Sequence, residues 1–224
     1  MRHELLYRPT FSVARVMLNP GETIRAESGA MVSMSPTITI ESKAQGGIGK
    51  ALGRLFAGES FFQTKFTASR GPGEVLLAPS SLGDIFGVEI TMAKALMVTS
   101  GCFLACDESL DIATKAQGKG FFAGEGLFLM RVSGVGSLLV SCFGATHAVQ
   151  LAEGQPYIVD TGHIVAFEES CQYSVRTVTK GLIQSFTSGE GFVAEFVGPG
   201  IVYIQTRSPQ SFGPWISQYV PRGS

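Results

Sequence analysis

The sequence predicts an all-β protein made of three copies of one β-rich unit. Three observations carry that expectation. Glycine is abundant, 28 residues in 224, and it separates many short apolar runs, the pattern of short strands joined by turns. One short motif comes round three times at nearly constant spacing. Around each copy apolar residues alternate with a two-residue period, which buries one face of a strand.

The motif is Ala57-Gly58-Glu59-Ser60-Phe61-Phe62, then Ala123-Gly124-Glu125-Gly126-Leu127-Phe128, then Ser188-Gly189-Glu190-Gly191-Phe192-Val193. An apolar run follows each copy and ends near Phe66, Val132 and Phe196. A Gly-x-Gly turn comes next, at Gly71-Pro72-Gly73, Gly134-Val135-Gly136 and Gly198-Pro199-Gly200. A second apolar run closes the set, at Val75-Leu76-Leu77, Leu138-Leu139-Val140 and Ile201-Val202-Tyr203-Ile204. Glycine accepts the positive φ of a tight turn, so strand, glycine turn and strand read as a β-hairpin.

A second motif precedes each of these. Ser28-Gly29-Ala30-Met31-Val32-Ser33-Met34 aligns with Ser100-Gly101-Cys102-Phe103-Leu104-Ala105-Cys106 and with Thr161-Gly162-His163-Ile164-Val165-Ala166-Phe167. Beyond it lie Ile38 and Ile40, Leu110 and Ile112, and Cys171 and Tyr173, at matching offsets. Gly21 and Gly154 precede the first and third copies at one spacing, where the middle copy has Ala93. The units therefore span about residues 10–79, 80–146 and 147–209, each with about four to six strands. Units of that size bury little core alone, so the three are expected to share an interior within one domain over residues 1–215. Residues 216–224 form a tail. Its Val220-Pro221-Arg222-Gly223-Ser224 resembles a protease-site remnant and stands outside the fold argument.

Hydrophobic residues make up 45% of the chain and charged residues 16%, so much surface is expected to be covered by the chain itself or by partner subunits. The formal charge of −1 points to neither nucleic acid nor an anionic membrane as a global partner. Cys102, Cys106, Cys142 and Cys171 form no CxxC pair and read as reduced, buried thiols of a cytosolic protein. Residues 1–4 lead into a mixed segment rather than a signal-like apolar region. No apolar stretch approaches the length of a membrane span.

The G-E-x-F/L-F/V motifs, the S/T-G strand entries and the glycine-rich insert before Gly58 resemble the AIM24 family, over about residues 1–215. The resemblance implies a TRAP-like fold: three β-sandwich units of the double-stranded β-helix type, with pseudo-threefold symmetry. It also implies a homotrimer that forms a ring-like assembly. Mitochondrial relatives are associated with inner-membrane organisation, and bacterial ones have no agreed activity. The fold's RNA-binding namesake lends no residue here, because no matching basic motif is present.

Candidate chemistry is sparse. Gly46-Gly47-Ile48-Gly49-Lys50-Ala51-Leu52-Gly53 matches neither GxxxxGK[ST] nor GxGxxG, and no Ser or Thr follows Lys50 to hold magnesium. Ile48, Leu52, Leu55 and Phe56 fall on one helical face, so one short helix is expected near residues 47–56. It would cap the core, meet a partner or lie on a membrane. Lys43, Lys50, Arg54, Lys65 and Arg70 stand against Glu59 alone over residues 43–70, which makes them the candidate interaction surface. Glu59, Glu125 and Glu190 recur at one position, either as a carboxylate ring or as local turn residues. His3, His147 and His163 have no metal-ligand spacing. Cys102 and Cys106 on one strand face would stand about 13 Å apart. There is no G-x-S-x-G elbow, and nothing nucleophilic is placed with Asp160 and His163. No catalytic residue, metal or cofactor is expected. The expected role is a non-enzymatic scaffold or interaction protein assembling as a homotrimer in a bacterial cytoplasm, with nucleic acid not a partner. Two other readings remain open: a ligand binder or enzyme with its site between units or subunits, and peripheral membrane association through residues 43–57.

Overall fold

The two-residue period of the sequence becomes a two-residue period of burial. Val13–Leu18 and Thr23–Glu27 alternate half-buried and buried residues without a break, as strands do when one face meets a core. The computed structural model describes residues 1–42, 63–115, 128–177 and 192–220. The helix expected near residues 47–56 lies outside them.

The described residues are mostly β-sheet, with one α-helix. After β1 (Arg2–Leu6) come β2 (Val13–Leu18), β3 (Thr23–Glu27), β4 (Met31–Met34), β5 (Thr39–Ser42), β6 (Gln63–Thr67) and β7 (Gly73–Leu77). The next six are β8 (Ile85–Ile90), β9 (Leu96–Thr99), β10 (Phe103–Asp107), β11 (Asp111–Lys115), β12 (Leu129–Ser133) and β13 (Gly136–Ser141). The last six are β14 (Thr146–Leu151), β15 (Pro156–Asp160), β16 (Ile164–Glu168), β17 (Gln172–Thr177), β18 (Phe192–Val197) and β19 (Gly200–Gln205). Four sheets result, with strand orders β1-β2-β7-β4, β5-β6-β3-β10-β13-β8, β11-β12-β9-β16-β19-β14 and β15-β18-β17.

One pairing scheme recurs along the chain. β2, β8 and β14 pair with β7, β13 and β19, whose other edges take β4, β10 and β16. β3, β9 and β15 pair with β6, β12 and β18, whose other edges take β5, β11 and β17.

This scheme corrects the hairpin expected at each Gly-x-Gly turn. β6 and β7 pair with different strands in different sheets, and so do β12 and β13, and β18 and β19. The turns are corners at which the chain leaves one sheet for another. Turn chemistry sets a sharp bend but not which edges pair. Here the flanking strands meet through their side chains: Phe66 from β6 packs in one core with Val75 and Leu77 from β7. The corner needs glycine for closeness as well as bend. A Cβ on Gly200, at φ +143, would stand 2.6 Å from Cys171 Sγ.

The core runs through three linked clusters. The first draws on β2, β3, β6 and β7 but also takes Leu104, Ala105 and Leu139 from the next strands. The second takes Val165 and Ala166 from β16 in the same way, and the third is built around Phe167 and Phe196. Asp84 joins the N-terminal stretch to β8. Its carboxylate accepts from Arg8 at 2.7 and 2.8 Å, from Ser12 Oγ at 2.8 Å and from the Ile85 N–H at 2.8 Å.

The described helix is α1 (Pro209–Ser217), where the sequence reading had the end of the third unit and a tail. Pro209 in the first turn suits a helix start, whereas Gly213 and Pro214 obscure the helix in the sequence. α1 buries none of its residues and rests on the sheet through Phe212, whose ring meets Phe143 edge-on at 5.1 Å.

Candidate functional site

β4, β10 and β16 are built alike. Their ladders to β7, β13 and β19 carry the same irregularity, between Met31 and Ser33, Phe103 and Ala105, and Ile164 and Ala166. All three read as central strands: Met31-Val32-Ser33-Met34, Phe103-Leu104-Ala105-Cys106 and Ile164-Val165-Ala166-Phe167. On its second edge β10 takes β3, with Ala105 opposite Ala26, and β16 takes β9, with Ala166 opposite Val98. Among the described residues β4 takes no strand on that edge. The consequence is direct. The first four residues of β10 and of β16 are buried, and all four of β4 are exposed.

β15 is the complementary case. β3 and β9 each hold a strand on both edges, whereas among the described residues β15 pairs with β18 alone. Ile158 stands where β3 has Arg25 and β9 has Met97; Ile158 is 51% exposed and Met97 2%. No ladder among the described residues joins β4 to β15. Among the described residues, β4 and β15 are thus the two strands left open on an edge that both of their repeat equivalents have covered. Val32, 56% exposed, marks one and Ile158 the other. Open edges carrying apolar side chains are templates for strand addition, and proteins generally blunt them when they are not used.

The two internal joints show what a completed edge contains. Lys65 of β6 reaches across to Glu108 at 2.5 Å, and Arg131 of β12 reaches Glu169 at 2.7 Å. Lys94 adds a pair to Glu168 at 2.8 Å. The Arg25 guanidinium donates to the Leu110 carbonyl across the first joint. At the corner beside each joint one side chain accepts a backbone N–H: Asp107 from Ser137 at 2.7 Å, Glu168 from Ile201 at 3.2 Å. Ser35 does the same beside β4, accepting from Glu74 at 3.0 Å. The corner beside β4 thus carries the same kind of backbone anchor as the corners beside the two joints.

Of the interaction residues expected from sequence, Lys65 lies in the first internal joint. Arg70 is exposed on the turn between β6 and β7, where its N–H donates to the Thr37 carbonyl at 3.2 Å. Lys43, Lys50 and Arg54 lie outside the described residues, as do Glu59, Glu125 and Glu190. Asp160 caps the Gly162 N–H at 2.9 Å, and His163 Nδ1 lies 2.7 Å from the Gln205 carbonyl oxygen; each is tied to backbone. All four thiols are buried and free. An open cleft of about 350 Å³ lies beside β4, lined by Glu27, Ser28, Gly29, Met31, Val32 and Pro79. Burial pushes the Glu27 carboxyl above its ordinary range.

The model for the family described as "Mitochondrial biogenesis AIM24" matches residues 3–207. The chain belongs to the AIM24 family. A curated relative, the uncharacterized protein M6_Spy0233 of Streptococcus pyogenes serotype M6, is 33% identical over 96% of this chain and 89% of its own length. The X-ray crystal structure of SPYM3_0169 from Streptococcus pyogenes is similar throughout, with a TM-score of 0.82 and 31% identity over 98% of this chain and 99% of that one. Among the described residues of this AIM24 chain, no helix is long and apolar enough to cross a membrane.

Proposed function

We propose that this AIM24 protein is a non-enzymatic scaffold whose copies join head to tail, the β15 edge of one adding to the β4 edge of the next, to make a homotrimeric ring in the cytoplasm. In this reading the chain is a triplicated module of TRAP-like, double-stranded β-helix form, over about residues 10–79, 80–146 and 147–209. The recurring pairing scheme supports the triplication. The ring is supported above all by β4, which has the sequence and ladder of a central strand but, among the described residues, no neighbour on one edge. A contact between two different surfaces of one chain is heterologous, so it must close into a ring or grow without limit. Closure at three chains is what the resemblance to the family implies.

The internal joints set the expected register: Val159 opposite Ser33 of the next copy, and Ile158 opposite Met34. Sedimentation at low micromolar concentration tests this, on the wild type and on Val32→Asp and Ile158→Asp. Both side chains are exposed in the single chain, so the variants keep the wild-type far-UV spectrum. The wild type is expected to sediment as a trimer and each variant as a monomer. A wild-type monomer at these concentrations overturns the reading.

A further inference from the structure

The joint between copies differs in charge from the two joints within the chain. Register places Lys65, Arg131 and Glu195 at one position, since they stand opposite Arg25, Met97 and Ile158 in equivalent ladders. Lys65 and Arg131 meet Glu108 and Glu169 on the turns after β10 and β16. The same register puts Pro36 where those two acids stand. At the outer joint the cation of the strand has become an anion, and the anion of the turn has gone.

A cation lies next to that turn. The corner between β6 and β7 is longer than its counterparts: residues 68–72 do there what 134–135 and 198–199 do elsewhere. The longer corner keeps the shared anchor, with Thr37 Oγ1 donating to the Pro72 carbonyl at 2.9 Å as Ser109 Oγ donates to Val135 at 2.8 Å. The added residues include Arg70, held against Thr37 through its own N–H at 3.2 Å. The Arg70 backbone is thereby bonded to the residue after Pro36, and in the head-to-tail reading that turn is the one β15 of another copy meets.

We infer that Glu195 of one copy pairs with Arg70 of the next, and that this reversed polarity decides which edges join. The inference rests on the head-to-tail reading and deepens it. Within the chain, cationic strands (β3 with β6, β9 with β12) face acidic turns. Between chains, an acidic strand faces a basic corner. A β15 edge that strayed to the turn after β10 or β16 would set Glu195 against Glu108 or Glu169. A β3 or β9 edge that strayed to β4 would set Lys65 or Arg131 against Arg70. Both errors bring like charges together, and such repulsion separates related surfaces that share one backbone geometry.

The test is a charge exchange. Glu195→Lys, Arg70→Glu and the double variant are compared with the wild type by sedimentation equilibrium in low salt, with Tm of the dilute chain as the folding control. Each single exchange is expected to weaken association about fivefold or more per joint, and the double variant to return to within about twofold of the wild type. Restoration should fade in high salt as the pair is screened. A double variant no better than the combined singles overturns the pairing. If Val32→Asp still dissociates the ring in that case, the head-to-tail reading survives alone; if the wild type never associates, that reading fails first.

Discussion

Ala105 on β10 stands opposite Ala26 on β3, and neither has any exposed surface. Both methyl groups are packed into the first core cluster, so a larger side chain there has to displace its neighbours. Ala105→Leu is expected to cost about 1–3 kcal/mol through overpacking, seen as a Tm several degrees lower for a chain of this size. Ser33 holds the equivalent place on the open β4 edge. Ser33→Leu should leave the Tm of the single chain within a degree or two and weaken association instead. A Ser33→Leu chain as destabilised as Ala105→Leu would show that β4 is already covered in the isolated molecule.

The connections between strands hold glycines of two kinds. A Cβ on Gly198 would stand 2.2 Å from the Ala152 carbonyl oxygen, and one on Gly83 would stand 2.1 Å from that of Cys142. Backbone cannot step aside as a side chain can, so Gly198→Ala and Gly83→Ala should lose more than about 3 kcal/mol or fail to fold. Gly154, at φ +73, has open space around its missing Cβ. Gly154→Ala therefore meets only the left-handed backbone cost of about 1–2 kcal/mol. Chemical denaturation of the three variants checks the order, and a Gly154 variant as damaged as Gly198→Ala would contradict it.

The thiols should be silent in the folded chain. Burial pushes Cys102 and Cys106 up to about 12 and Cys171 to about 11, and raises Cys142 as well. The thiolate is the reacting form, so a disulfide reagent at pH 8 should find none of the four within minutes. It should find all four once the chain is unfolded in guanidinium. Fast labelling of one cysteine in the native protein would mean that its part of the core opens readily.

Much of the fold was legible because burial in strands has a local signature. The alternation in β2 and β3 and the offsets linking Ile38, Leu110 and Cys171 all survive in the structure, with these three residues buried. The failures are non-local. Gly71-Pro72-Gly73 announces a bend, but nothing in it says that β6 belongs with β3 and β7 with β2. Likewise Met31-Val32-Ser33-Met34 aligns with two strands that are buried; that β4 itself is exposed depends on strands far away in sequence. Arg70 was singled out as part of a basic stretch, whereas its position is explained by the longer corner that carries it. Nothing local marks Glu195, since its contrast with Lys65 and Arg131 becomes visible only through register. α1 was missed because Gly213 and Pro214 mask it.

Asp84 gives the N-terminal stretch a dependence on pH. Burial works to raise its carboxyl, but the bonds from Arg8, Ser12 and the Ile85 N–H outweigh that and hold it below the ordinary value of 3.8. The unfolded chain thus takes up the proton more readily than the folded one. Stability from this site is complete above the ordinary carboxylate range and drains away as pH falls through the lowered native value. Asp84→Asn removes the charge and one acceptor while keeping the shape. Arg8 is half exposed and regains water, so the loss at neutral pH should be moderate, about 1–3 kcal/mol. Denaturant titrations of both proteins at pH 7 and pH 3 check the sign: the gap between them should narrow at pH 3. A gap that widened in acid would mean that the folded state protonates this carboxyl first, and that burial prevails over its three donors.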